Sequence, residues 1–255
     1  MKATLFCSMD VGPRPNQQDA VLAAGRVYQE NDVTASWEFA GHIITLEVCD
    51  GLGGHSAGEE ASRYVCDKLA GAFSGGYPGP AEVDAAVAEI QASMKEGVVP
   101  FDSGTTVAAL VTDGRRVMVV NAGDSRVYRV SEAGLVRVSH DHSFVQRLVD
   151  DKLLTEADAF SNPFRNLVDF GVGPIFADRW DARQPLYIFE EDCGPGATYL
   201  LCSDGVSDVL TDARMAEVLA ADPLGRAREL TAAIRAAGMK DNASIVMARM
   251  EQAEE

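Results

Sequence analysis

The spacing of apolar and polar residues changes along the chain, and each change predicts a different kind of element. An apolar run over 43–49 predicts a buried strand, and apolar positions one helical turn apart predict a helix over 57–73. Pro80 before the stretch 81–96 and Gly97 after it are typical of the two ends of a second helix. The first part of the chain is therefore predicted as strand, glycine turn and two helices.

The period then shortens to the two-residue alternation of strands. The runs 107–112 and 117–121 lie on either side of Asp113-Gly114, which is a hairpin signal, and 126–130 continues the alternation. The remaining predicted elements are short helices over 143–151 and 155–160, a stretch of little regular period over 162–181, a buried strand over 199–202, a helix opened by Asp222-Pro223 and closed by Gly238, and a last strand over 243–250. Strands in hairpins, with long helices near both ends, favour an α+β sandwich over a repeating βαβ fold.

Length and charge argue against several classes of function. The chain has 255 residues, 47% of them hydrophobic, which is enough for one compact domain. Its formal net charge of −17 argues against nucleic acid or an anionic membrane as the main partner. Two explanations of the acidity stay open, namely solubility and carboxylates that bind cations in the working protein.

The cysteines and the N-terminal stretch indicate the compartment. The five cysteines are odd in number and form no C-x-x-C pair, which is typical of reduced core residues in a cytosol. The first residues show no basic region followed by a long apolar run, and no window approaches the roughly 18 apolar residues of a membrane span. We therefore expect a cytoplasmic protein without a membrane partner.

Acidic residues, three of them beside glycine, lie at the ends of predicted strands. They are Asp50 before Gly51, Asp124 after Gly123, Asp204 before Gly205, and Asp241 before Asn242. A strand end holds its backbone rigidly, and carboxylate with carbonyl oxygen is the ligand set that Mg²⁺ or Mn²⁺ prefers. Asp-Gly is also an ordinary turn dipeptide, so each pair taken alone is open to either interpretation.

With their flanks, these segments resemble the protein phosphatase 2C-like family of metal-dependent Ser/Thr phosphatases, in its bacterial single-domain form. The matching segments, in chain order, are Gly12-Pro13-Arg14 through Asp19-Ala20, Asp50 through His55, Ser103 through Thr106, Gly123 through Tyr128, Asp141-His142-Ser143, Asn162 through Asn166, Leu201 through Gly205, and Lys240 through Ser244. The resemblance implies one phosphatase domain over 1–255, built as a four-layer α-β-β-α sandwich of two antiparallel β-sheets flanked by helices. It also implies a flap-like segment over about 142–173.

The same resemblance implies a binuclear centre of Mn²⁺ or Mg²⁺ at one end of the sandwich. Asp50 would bridge the two ions, the Gly51 carbonyl would bind the first, and Asp204 and Asp241 would bind the second. Asp124 with Asp204 would hold a third, weaker ion. Metal ligands are therefore expected from four separate parts of the chain.

Further residues would act on the substrate. Arg14 would grip the phosphate, and Asp19 would orient the water that the ions activate for direct attack on phosphorus. For His55 a role as general acid, a role in fixing the glycine loop, and no role all stay open. Thr105 and Thr106 are expected to satisfy backbone groups beneath the site. No cysteine is followed by an arginine six positions later, as the phosphate loop of thiol phosphatases would require.

One departure from the family keeps an alternative open. Gln17 and Gln18 stand where relatives commonly have Asn and Glu, so a carboxylate that would order water is missing. A non-catalytic phosphatase-fold binding protein is therefore the alternative to a protein serine/threonine phosphatase. A nucleotide-binding turn after Asp50 is disfavoured, because that carboxylate would repel a phosphate.

The resemblance also implies the partners. They would be phosphorylated proteins, namely a Ser/Thr kinase and its substrates, with control of type VI secretion as one setting. No nucleic acid partner is expected, and a monomer is expected.

Overall fold

The computed structural model describes residues 1–53, 57–131 and 134–251. Its strands are β1 (Lys2–Asp10), β2 (Ala20–Ala23), β3 (Arg26–Tyr28), β4 (Asp32–Ala40), β5 (Ile44–Cys49), β6 (Gly51–Leu52), β7 (Gly104–Thr105), β8 (Val107–Thr112), β9 (Arg116–Ala122), β10 (Arg126–Ser131), β11 (Gly134–Arg137), β12 (Tyr187–Asp192), β13 (Thr198–Cys202) and β14 (Ala243–Glu251). Its helices are α1 (Ala57–Ala72), α2 (Pro80–Ser93), α3 (Phe144–Asp150), α4 (Glu156–Phe160), α5 (Ala177–Asp181), α6 (Asp204–Ser207), α7 (Asp212–Leu219) and α8 (Ala227–Ala236). Within these ranges, none of the helices combines the length and apolar character needed to cross a membrane.

Antiparallel pairing joins the long strands of the described ranges into two sheets. The first sheet has the strand order β11-β10-β13-β14-β1-β4, and the second has the order β12-β9-β8-β5-β2-β3. Strand β1 pairs with β14 along its whole length, from Lys2 opposite Glu251 to Asp10 opposite Ala243. The first and last strands of the chain are thus neighbours within one sheet.

Apolar side chains pack in layers, because alternate strand residues point to opposite faces of each sheet. Leu46 and Val246 belong to the layer between the two sheets. On the outer face of the second sheet, the core contains Val65 of α1 and Val87 of α2, and on the outer face of the first sheet it contains Leu230 of α8. This order of helix, sheet, sheet and helix confirms the predicted four-layer α-β-β-α sandwich.

Most predicted elements agree with the structure to within one or two residues. A π-helical turn over Met94–Val98 extends α2, with Gly97 at a φ of 93°. The predicted start of the helix at Asp222 is wrong, because α8 begins at Ala227 and Asp222 instead accepts a hydrogen bond from Gly225 N at 3.1 Å. The irregular stretch after residue 162 ends in α5, and the apolar pattern does not predict strands β1 to β4.

Candidate metal centre

Asp50, Asp124, Asp204 and Asp241 lie at one end of the sandwich because of the strand directions. Asp50 follows β5 and Asp124 follows β9, and these strands run parallel in the second sheet because each is antiparallel to β8 between them. Asp204 follows β13, and Asp241 precedes its antiparallel neighbour β14 in the first sheet. The charge of Asp204 acts on the carboxyl of Asp50 across the two sheets.

Burial and mutual repulsion raise the pKa values of Asp50, Asp124 and Asp204. Burial raises the pKa of Asp50 well above its usual range, and the neighbouring charge of Asp204 adds to that shift. Burial has the same effect on the pKa of Asp124, with further repulsion from Asp204 and Asp141. The pKa of Asp204 rises to about 6, again chiefly through burial. Crowded carboxyls of this kind ionise fully at neutral pH only when a cation offsets their charge.

The donor atoms of the cluster fit a hard divalent cation. Asp19 Oδ1, Asp124 Oδ1 and Asp204 Oδ1 are buried and have no hydrogen-bond partner within the described ranges. A buried polar atom without a partner costs about 1–3 kcal/mol of folding free energy. Mg²⁺ and Mn²⁺ prefer carboxylate and carbonyl oxygen ligands, so the residues present fit these ions.

Two threonines hold the backbone of Asp50. Asp50 N donates a hydrogen bond to Thr106 Oγ1 at 2.9 Å, and Thr105 Oγ1 donates one to the Asp50 carbonyl at 2.8 Å. Thr106 Oγ1 also lies 2.7 Å from Ser125 Oγ, beside Asp124. These contacts confirm that the threonines satisfy backbone groups beneath the site, and they connect two of the aspartates.

Close packing fixes the position of Gly51. A Cβ atom at this residue would lie 2.2 Å from the Gly58 carbonyl oxygen and 2.6 Å from the Gln18 carbonyl oxygen. Gly51 N donates a hydrogen bond to that Gln18 carbonyl at 3.2 Å. Helix α1 and the loop before β2 therefore determine where the Gly51 backbone lies. His55, a candidate general acid, lies outside the described residues.

Asp19 lies beneath the other aspartates with its carboxyl held in place. Ser203 Oγ donates a hydrogen bond to Asp19 Oδ2 at 2.8 Å, and Gln17 Oε1 accepts one from Asp19 N at 3.1 Å. Burial raises the pKa of Asp19 to about 7, and the charges of Asp204 and Asp241 act in the same direction. Gln17, one of the two departures from the family pattern, thus supports the Asp19 backbone.

Arg14 lies at the open side of the cluster. Its Nη2 donates a hydrogen bond to Asp241 Oδ2 at 2.5 Å, while 49% of its side chain stays exposed. Together with Arg165, Asn166 and Lys240 it lines a cleft of about 400 Å³. This cleft places positive charge where a phosphate group could approach the aspartates.

Asn242 connects two parts of the site, a role that sequence reasoning missed. Its Oδ1 accepts a hydrogen bond from Gln18 N at 2.8 Å, and its Nδ2 donates to the carbonyls of Val11 at 2.9 Å and Asn16 at 3.1 Å. The side chain therefore fixes the loop that contains Arg14 against the start of β14. The only signal in the sequence is the Asp-Asn pair before the last strand.

Comparison with known proteins identifies the family. The family model described as protein phosphatase 2C matches residues 24–229, which is most of the chain. The chain belongs to the protein phosphatase 2C family. Within this phosphatase 2C family, the serine/threonine protein phosphatase PstP of Mycobacterium tuberculosis is 32% identical over 244 residues. That match covers 92% of this chain and 42% of PstP, so the chain spans less than half the length of this relative.

Solved structures of similar proteins share the fold. The catalytic domain of PstP in complex with two manganese ions has a TM-score of 0.74 and 27% identity, covering 99% of this chain and all of that chain. PppA, a key regulatory component of the type VI secretion system in Pseudomonas aeruginosa, has a TM-score of 0.72 and 27% identity, with 97% of each chain covered. These likenesses confirm the fold and the family that the motifs predict.

Residues 142–173, the segment predicted as flap-like, contain α3 and α4, and part of this segment lies beside Asp124 and Asp204. Its Arg165 Nε lies 3.3 Å from Asp208 Oδ1, and Asn166 Nδ2 donates a hydrogen bond to Asp208 Oδ2 at 2.8 Å. Arg165 and Asp208 line the cleft near Arg14 and also a second cavity of about 580 Å³ that includes Asp124. This segment therefore forms part of the wall of both cavities.

Proposed function

We propose that this chain is a metal-dependent protein serine/threonine phosphatase, with residues 1–255 acting as one phosphatase domain. The observation that supports this most directly is the cluster of partly or fully buried, mutually repelling aspartates, some with unpartnered buried oxygens, beside Arg14. Membership of the protein phosphatase 2C family and the similarity to PstP support the same activity.

In this proposal the aspartates would hold Mn²⁺ or Mg²⁺. Asp50 would be shared by two ions, the Gly51 carbonyl would be a ligand of the first, Asp204 and Asp241 would be ligands of the second, and Asp124 with Asp204 would hold a third, weaker ion. The manganese complex of the PstP catalytic domain supports the choice of metal. When bound, such ions lower the pKa of water and neutralise the charge that develops on a phosphoryl group.

Arg14 binds the phosphate of the substrate in this proposal. A guanidinium can form two parallel hydrogen bonds to phosphate oxygens, which also orients the phosphoester. Asp241 Oδ2 accepts a hydrogen bond from Arg14. The same oxygen could instead bind a cation. Metal loading therefore leaves Arg14 available for the phosphate.

Asp19 and His55 handle protons and water in this proposal. Asp19 Oδ1 has no partner among the described residues, so it is available to orient a water and to accept its proton. Ser203 fixes the orientation of the Asp19 carboxyl through Oδ2. His55 donates a proton to the leaving serine or threonine oxygen.

We further propose a cytoplasmic monomer that acts on phosphorylated proteins and opposes a Ser/Thr kinase. All five cysteines are free thiols, which supports a reducing compartment. The similarity to PppA supports control of type VI secretion as one setting for this activity.

The first experiment is hydrolysis of a phosphothreonine peptide with and without Mn²⁺, with metal content measured on the same samples. We expect metal-dependent turnover, and a loss on the order of 100-fold or more in Asp204→Asn, because that change removes a proposed metal ligand. Asp84→Asn, an exposed aspartate on α2, is the matched control and should leave turnover unchanged.

Two outcomes would contradict the phosphatase proposal in different ways. Metal binding without turnover would indicate the non-catalytic binding protein of the same fold. Turnover that does not depend on metal, or that survives Asp204→Asn, would exclude the proposed role of the aspartates.

A further inference from the structure

Three side chains that are typical metal ligands meet in the core beneath helix α1, and the proposed phosphatase chemistry uses none of them. Glu47 and Cys49 lie two residues apart on the same face of β5, and Cys66 lies on α1 above them. All three are fully buried. Cys49 Sγ lies 3.1 Å from Glu47 Oε1, and the ligand atoms of the three residues lie within 4.8 Å of one another.

The surroundings of this cluster are apolar. Cys49 and Cys66 belong to the core layer between the second sheet and helices α1 and α2, together with Leu22, Val65 and Leu69. Buried cysteines pack like small apolar side chains, so the two thiols alone do not indicate a metal site.

Glu47 is the residue that points to a ligand. Its side chain has no exposed surface, and its Oε2 atom has no hydrogen-bond partner in the part of the chain that the structure describes. Buried carboxylates are ordinarily paired with a cation or coordinate a metal. The Glu47 carboxylate lies beside two thiols, which are soft ligands, and it forms no ion pair with a lysine or arginine of the described ranges.

We propose that Glu47, Cys49 and Cys66 bind a thiophilic metal ion of the Zn²⁺ class, at a site separate from the aspartates. Two thiolates and a carboxylate are a ligand set that Zn²⁺ accepts, with bond lengths of about 2.3 Å to sulfur and about 2.0–2.2 Å to oxygen. Tetrahedral ligands at those bond lengths lie about 3.6 Å apart for sulfur and oxygen, so the 3.1 Å pair of Cys49 Sγ and Glu47 Oε1 would move slightly apart on binding. Binding releases the two thiol protons to solvent. The occupied site then has one net negative charge, because three anionic ligands surround one divalent ion.

The ligand chemistry keeps the two metal sites distinct. Hard ions such as Mg²⁺ and Mn²⁺ prefer the oxygen-rich aspartate centre, whereas thiolates select softer ions. Because Cys49 directly precedes Asp50 in the chain, an ion on Cys49 and Cys66 would join α1 to the strand that ends at the aspartate centre. The inference does not depend on the chain being a phosphatase, since its ligands take no part in that chemistry.

The test is a titration with Cd²⁺ in excess Mg²⁺, which occupies the aspartate centre. A cadmium–thiolate bond gives ultraviolet charge-transfer absorption that a carboxylate site cannot give, and bound cadmium is counted after gel filtration. The protein is the full chain with Cys193→Ala, because Cys193 is the cysteine that is not fully buried among the five. We expect one Cd²⁺ per chain together with the absorption band.

Three variants locate the site. Cys66→Ala should lose the band, and Glu47→Gln, which keeps both thiols, should bind Cd²⁺ at least about 10-fold more weakly. Cys7→Ala is the matched control, since Cys7 is equally buried but lies in the layer between the two sheets. If Cys66→Ala fails to fold, Glu47→Gln decides the question.

The proposal is overturned by any of three results. The first is absence of the band both on titration and after refolding in Cd²⁺. The second is a band of equal strength and affinity in Cys66→Ala or Glu47→Gln. The third is a Cys49–Cys66 disulfide in the purified protein, found by peptide mapping, because it would use the same sulfurs.

Discussion

The contact between Gly58 and Gly51 sets how closely helix α1 approaches the aspartate centre. A Cβ atom at Gly58 would lie 2.7 Å from both the Gly51 carbonyl carbon and its oxygen, and 3.0 Å from Leu52 N. These are backbone atoms, so the clash cannot be relieved by turning a side chain. A side chain at Gly58 would therefore have to displace the backbone that is proposed to bind the first ion.

We expect Gly58→Ala to weaken metal binding and to destabilise the fold. The displaced Gly51 carbonyl should lower the affinity for Mn²⁺ about 10-fold, and overpacking should lower the free energy of unfolding by about 1–3 kcal/mol. The Mn²⁺ concentration that gives half-maximal peptide hydrolysis measures the first effect, and denaturant unfolding measures the second.

Gly71→Ala on the same helix is the control for this prediction. A Cβ atom at Gly71 meets no atom within 4 Å, so alanine should be neutral or should stabilise by about 0.5–1 kcal/mol through its helix propensity. Equal effects of the two substitutions on the affinity for Mn²⁺ would show that the close contact at Gly58 does not position the centre.

At the scale of elements, His142 connects the start of the segment 142–173 to the turn between β9 and β10. Its Nδ1 accepts a hydrogen bond from Gly123 N at 3.3 Å, and its own backbone N donates to the Gly123 carbonyl at 2.8 Å. The ring also packs 5.1 Å from the ring of Phe170. Burial lowers the pKa of His142 to about 4, with a further contribution from His140. The folded state therefore favours the neutral imidazole of His142 over the protonated one.

This lowered pKa predicts how stability depends on pH. Between pH 6.5, the ordinary value, and about 4, the unfolded chain takes up a proton at His142 that the folded chain does not. The contribution of His142 to the free energy of unfolding should therefore fall as the pH falls through this window, by up to about 3 kcal/mol, and should be constant above it. Buried carboxyls with raised pKa values act in the opposite direction, so the contribution of His142 is the difference between the wild type and a His142 variant. Denaturant unfolding of the wild type and of His142→Asn, which keeps an acceptor for Gly123, measures the difference.

The control for the pH prediction is His42→Asn, because His42 is exposed. The free energy of unfolding of this variant should depend on pH in the same way as that of the wild type. If His142→Asn loses as much stability on acidification as the wild type does, other groups cause the acid sensitivity and the lowered pKa of His142 is not the reason.

The elements differ in how far the sequence predicts them. Strands β5, β8 and β13 are buried at every position and mostly apolar because both faces of their sheets are covered, so each is visible locally. Strand β4 lies at a sheet edge and alternates between exposed and half-buried positions, and β1 has its partner β14 at the other end of the chain. No local pattern contains the information for such a pairing, which is why these strands escape prediction.

The residues of the candidate site also differ in how far the sequence predicts them. An aspartate at the end of a strand is a local feature, so Asp50, Asp124, Asp204 and Asp241 could be proposed from the sequence. Whether these aspartates meet at one site depends on which sheet each strand joins. Only the family resemblance predicted that they do. The contacts of Asn242 to the loop around Arg14 join residues more than 220 positions apart, so its role needed the structure.

At the scale of the whole molecule, the aspartate centre lies across both sheets. Asp50 and Asp124 come from the second sheet, whereas Asp204 and Asp241 come from the first. Without a cation, the charge of Asp204 repels Asp50 and Asp124 across the gap between the sheets, which adds to the effect of burial on the raised pKa values of Asp50 and Asp124. Ions held by residues of both sheets would replace that repulsion with attraction, and would stabilise the folded chain as one unit.

We therefore expect Mn²⁺ to raise the melting temperature of the whole protein. An ion at 100 times its dissociation constant stabilises the folded state by about 2.7 kcal/mol, which corresponds to roughly 5–10 °C for a domain of this size. Thermal unfolding in EDTA and in increasing Mn²⁺ measures the shift, and Asp204→Asn should lose most of it while Asp84→Asn keeps it. Because the ligands come from both sheets, circular dichroism and tryptophan fluorescence should report the same shifted transition. A shift seen by one probe alone would mean that the ions stabilise only part of the sandwich.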